Sequence, residues 1–73
     1  MKRCFSCIDK ETGKEMILTD VSYNSACFWL DTELKRNGHK ITTCLPAGDL
    51  IRIETTCKRD FFYDEIRGYL LGD

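Results

Sequence analysis

Polar and apolar positions alternate loosely at the start of the chain, with Arg3, Phe5 and Cys7 on one side and Cys4, Ser6 and Ile8 on the other. A period of two is strand grammar, so residues 2–8 are expected to be extended. Asp9-Lys10-Glu11-Thr12-Gly13 is charged, ends in glycine and predicts a hairpin loop. Residues 14–19 carry the apolar run Met16-Ile17-Leu18 and predict the returning strand, antiparallel because the link is too short for a crossover. Two core faces compete in this hairpin, Phe5 with Ile17 or Cys4 with Leu18.

The period then lengthens. Tyr23, Ala26, Cys27, Leu30 and Leu34 fall at i, i+3, i+4, i+7 and i+11, which is one apolar stripe along a helix. Asp20 or Ser22 can cap its free amides, and an acid suits the positive end of the helix dipole. Asp31 and Lys35 form a favourable i,i+4 pair on the outer face. Asn37-Gly38 predicts the end of the helix, because glycine accepts the left-handed conformation there.

Alternation returns from His39 to Leu45. Pro46-Ala47-Gly48-Asp49 reads as a turn, and residues 50–57 as a strand with Ile51, Ile53, Thr55 and Cys57 on one side. Pairing Ile41 with Ile53 and Thr43 with Ile51 puts the apolar residues of both strands on one face. Asp60 then reads as the cap of a second helix over residues 61–71, with Phe62, Ile66, Tyr69 and Leu70 as its buried stripe. Gly68 weakens that helix by about 1 kcal/mol relative to alanine. The expected architecture is a single α+β domain over residues 1–73. Its order is ββαββα, a four-stranded antiparallel sheet packed by two helices.

Composition narrows the function. The chain has 73 residues, enough for one small core and too few for a large enzyme pocket. With 11 basic and 12 acidic side chains, it lacks the positive excess of a generic nucleic-acid binder. The start of the chain has no apolar run long enough for an export signal, and no stretch is long enough to span a membrane. A cytoplasmic location is therefore expected. The 5 cysteines are an odd number, which favours free, mostly buried thiols over a disulfide framework.

The cysteines and the histidine offer three chemistries. Cys4-x-x-Cys7 with His39, Cys44 or Cys57 is a loose zinc pattern, but strand positions i and i+3 point to opposite faces and no glycine or proline makes a knuckle. As a redox dithiol the pair lacks a helix N-terminus. His39, the only histidine, could serve a cysteine nucleophile as base. Neither a nucleophile elbow nor a phosphate-binding glycine loop is present. No catalytic residue, cofactor or metal is expected.

What remains is a surface. At 100° per residue, Phe28 and Trp29 lie roughly 120° to either side of the stripe of the first helix, so a small core cannot take both. Phe61 and Leu71 likewise fall off the stripe of the second. Exposed aromatics are typical anchors for a protein partner. The sequence therefore points to a small, non-enzymatic protein-binding module whose working surface is Phe28, Trp29, Asp31, Thr32 and Lys35. The acids Asp64 and Glu65 of the second helix would add to it. The expected partner is a host protein or complex, blocked by occlusion. In size and style such a domain is analogous to phage and mobile-element inhibitors of host defence, including anti-CRISPR proteins. A nucleic-acid-binding regulator and a zinc-stabilised adaptor are the alternatives, and a homodimer through the aromatic patch or an open strand edge is compatible with the sequence.

Overall fold

The computed structural model describes the backbone of residues 1–73 and every side chain except that of Phe5. In chain order the elements are β1 (Lys2–Ile8), β2 (Glu15–Thr19), α1 (Tyr23–Arg36), β3 (Ile41–Ala47), β4 (Leu50–Thr55), β5 (Phe61–Asp64) and β6 (Tyr69–Gly72). The strands form one antiparallel sheet of six, in the spatial order β1-β2-β6-β5-β4-β3. The expected ββαββα order, with four strands and two helices, is therefore wrong. The chain is largely sheet, with α1 alone packed across one face.

The second helix is replaced by the β5–β6 hairpin. Its residues satisfy two periods at once. Phe62, Ile66, Tyr69 and Leu70 fit a helical stripe, but Phe61 and Tyr63 also alternate with Phe62 and Asp64, and aromatics favour strands. The turn decides between them. Asp64 Oδ1 accepts from the amides of Ile66 and Arg67 at 3.0 and 3.1 Å. Gly68 sits at φ +69°, a conformation that interrupts any helix through it. Hence Phe61 and Leu71, expected to be exposed, are buried, and Ile66, expected to be buried, is 84% exposed at the turn. Asp60 caps no helix and instead pairs with Arg52 at 2.9 Å.

The β3–β4 register also differs from expectation. Cys44 lies opposite Ile53, Thr43 opposite Glu54 and Ile41 opposite Thr55, with a shift between Ile41 and Thr43. The turn is only Gly48-Asp49, so β3 runs through Pro46 to Ala47. Proline is tolerated in a strand whose outer edge is open, because its missing N–H can face away from the ladder.

One core joins the helix to the sheet. Ala26, Leu30 and Leu34 of α1 pack with Leu18, Ile53, Phe61, Tyr63 and Leu70. Leu18 is fully buried and its neighbour Ile17 also packs against the core, across a register shift between Met16 and Leu18, so the two faces weighed for the first hairpin are not true alternatives; the Phe5 side chain lies outside the described ones. Ser22 is the N-cap of α1, its hydroxyl accepting from the Ser25 amide at 3.3 Å. The start of α1 is tied to the β5–β6 hairpin three ways. The Tyr63 hydroxyl donates to the Val21 carbonyl at 2.7 Å. The Val21 amide donates to the Gly68 carbonyl at 3.1 Å. The Tyr23 and Tyr63 rings meet edge to face at 5.5 Å.

Candidate protein-docking surface

Capping, the apolar stripe and the sheet beneath fix the orientation of α1, and that orientation decides what faces outward. Phe28 stands 76% exposed in the middle of the helix. Thr32 and Lys35 lie within about 40° of it around the helix and Asp31 within about 60°. The Thr32 hydroxyl donates back to the Phe28 carbonyl at 2.9 Å, a local bond that leaves the ring free. Asp31 and Lys35 pair at 2.9 Å, and Glu33 and Arg36 at 3.3 Å, so the ring stands between two ion pairs.

Trp29 turns about 100° away from Phe28 and is half-buried against the core. The Arg3 guanidinium lies 5.7 Å from its ring centre. Phe28 and Trp29 share a shallow groove of about 660 Å³, completed by Met1, Thr32, Glu33 and Arg36. Trp29 also borders a second cavity of about 350 Å³ beneath the helix, which Cys4, Glu15, Arg59 and Phe61 help to line.

Asp64 and Glu65 do not extend this surface. With no second helix to carry them, they sit at the β5–β6 turn. Asp64 is buried and held by Arg67, whose Nε donates to it at 2.7 Å. Burial pushes its carboxyl up, but bonds from the side chain and amide of Arg67, its charge and the Ile66 amide outweigh that and leave it below the usual range. Glu65 is exposed. The unforeseen member of this cluster is Asp9, buried in the β1–β2 loop, which takes Arg67 in a two-pronged pair at 2.8 and 2.5 Å. Sequence spacing offered no signal for a pair 58 residues apart.

The alternatives meet a different geometry. Cys4 faces the cavity under the helix, whereas Cys7 lies opposite Met16 on the other face of the sheet. Among the described residues, no three His, Cys, Asp or Glu side chains gather as a metal-binding group. His39 Nδ1 lies 3.2 Å from the Thr56 hydroxyl rather than beside a cysteine. Burial, with Cys44 beside it, keeps the Cys27 thiol above its ordinary value despite a bond from Tyr23. The Cys44 thiol, burial and Cys27 in turn hold the Tyr23 hydroxyl high. Of the basic residues that could meet phosphates, Lys35, Arg36 and Arg59 are ion-paired, Arg59 with Glu15, whereas Lys40 and Lys58 are in no ion pair among the described residues. Among the described residues, no helix is long and apolar enough to cross a membrane. Nothing among family models, curated proteins or solved structures matches this chain.

Proposed function

We propose that this protein is a non-enzymatic protein-binding module that acts by occlusion, with the outward face of α1 as its working surface. The observation that carries the reading is Phe28, 76% exposed at mid-helix on a rigid element. Leaving a phenylalanine in water forgoes on the order of 2–3 kcal/mol of burial, which a partner's pocket would recover. The partner fitted to this surface is a protein with an apolar pocket for the Phe28 ring, rimmed by groups that complement Asp31 and Lys35 on one side and Glu33 and Arg36 on the other. The pairing of Lys35 and Arg36 also speaks against a phosphate backbone as the target of this face, since both of these cations already have carboxylate partners.

The test separates binding from folding. Phe28→Ala is expected to abolish a nuclease-resistant, stoichiometric protein complex recovered from lysate, while the melting temperature changes by no more than about 2 °C. A complex that survives the substitution sinks the proposal, as does recovery of nucleic acid in place of protein. Trp29→Ala is the contrasting variant. Its ring supports the core, so it should lower both stability and binding.

A further inference from the structure

A six-stranded open sheet has two edges, and this one treats them differently. The β1 edge carries Lys2 and Arg3, and its ladder is broken between Arg3 and Cys7, where Ser6 takes φ +58°. Charge and irregularity are the usual protection of an exposed edge. The β3 edge has no charge from Ile41 to Ala47, and five of those seven residues are exposed. Charge appears only just outside it, Lys40 at one end and Asp49 at the other, both exposed and neither ion-paired among the described residues.

The hydrogen-bonding direction of the edge follows from its turn. Gly48-Asp49 is a two-residue hairpin loop, so Ala47 and Leu50 form a bonded pair. Alternation then turns the polar groups of Leu45 and Thr43 towards β4, and those of Pro46 and Cys44 outward. The nitrogen of Pro46 is on the open side, and the free donor and acceptor at the centre of the edge belong to Cys44.

We propose that β3 pairs antiparallel with β3 of a second copy, about a two-fold axis at Cys44. Each Cys44 N–H donates to the Cys44 carbonyl of the other chain; beyond that central pair, Pro46 presents only its carbonyl and the register shift between Ile41 and Thr43 ends the regular alternation. The proline costs the new ladder donors but costs β4 nothing. The flanking charges select both the occupant and its direction. In the antiparallel arrangement, Lys40 of each chain lies beside Gly48-Asp49 of the other, so both ends of the ladder gain an opposite-charge contact. A parallel arrangement sets lysine against lysine and aspartate against aspartate, which is unfavourable. The two sheets then become one, with the α1 of each chain on it.

The test uses the intact chain in reducing buffer, so that no Cys44 disulfide substitutes for the ladder. Sedimentation equilibrium is expected to show the 8.5 kDa mass doubling as concentration rises from micromolar to millimolar. Amide exchange locates the contact. The Cys44 amide should exchange roughly tenfold or more slowly in concentrated than in dilute protein, while the Thr43 and Leu45 amides stay protected in both. Lys40→Glu should weaken the dimer about tenfold, and adding Asp49→Lys should restore it. A single monomer mass throughout overturns the proposal. So does association that leaves the Cys44 amide unprotected, or a charge swap that fails to restore pairing.

Discussion

Arg67 is the side chain on which most of the buried charge depends. It bridges Asp9, in the loop between β1 and β2, to Asp64, at the end of β5. The arrangement holds the Asp9 carboxyl far below its ordinary value of 3.8, chiefly through the Arg67 hydrogen bonds and against the opposing effect of burial. A carboxyl depressed in the folded state binds protons less readily there than in the unfolded chain. Its stabilisation is therefore complete above the unfolded value near 4 and is lost as pH falls below it. Asp64 is shifted the same way. Thermal denaturation from pH 7 to pH 2 should show stability falling steeply below about pH 4. Asp9→Asn should cost about 3 kcal/mol at neutral pH and flatten that acid limb, because one charge of a buried pair is removed. An unchanged acid limb would show that the pair does not control it. At this same scale helix geometry indicated that Phe28 and Trp29 could not both be buried, but not that Phe28 would be the one left outside. The sequence was silent about Arg67, whose partners are set by which loops the sheet brings together.

The elements divide in the same way. The first hairpin and α1 were legible because each had one dominant period and local punctuation: the glycine-ended loop, the Ser22 cap and the Asn37-Gly38 stop. Residues 61–72 were not, because a helical stripe and a strand alternation fit the same aromatics. The choice between them lies outside the segment. Leu70 pairs with Leu18 and Leu71 with Met16, so β6 completes a ladder that a helix would leave open. Asp64 and Glu65 were misplaced for that reason alone. The hairpin's weak point should be Gly68. A Cβ added there would meet the Val21 carbonyl oxygen at 3.3 Å, and the backbone at φ +69° disfavours any side chain. Gly68→Ala is expected to cost about 1–2 kcal/mol in chemical denaturation. A neutral result would mean that the turn tolerates another backbone path. Gly72 is constrained differently, because the Arg59 guanidinium lies across it on the way to Glu15, so a side chain there would have to displace that flexible end and its ion pair.

In the whole molecule, a single six-stranded sheet lies under one helix, where two ββα units in succession were expected. The helix, the first hairpin and the later strands contribute to the same buried cluster, so nothing separates them into units that melt independently. Trp29 fluorescence, which reports on the packing of α1 against the core, and far-ultraviolet dichroism, which reports on the backbone of helix and sheet together, should therefore give coincident thermal transitions. Two resolved transitions would contradict a shared core. The order of the strands also has a consequence for how the protein is made. β2 emerges early from the ribosome, but its inner neighbour β6 emerges after every other strand. Until then Leu18 and the stripe of α1 have no complete sheet to cover, and β2 is itself an open edge. The nascent chain thus passes through a stage at which its stickiest surfaces are made and their cover is not. Slow translation over residues 41–72 would prolong that exposure, and a chaperone that holds the first hairpin and helix would shorten the risk.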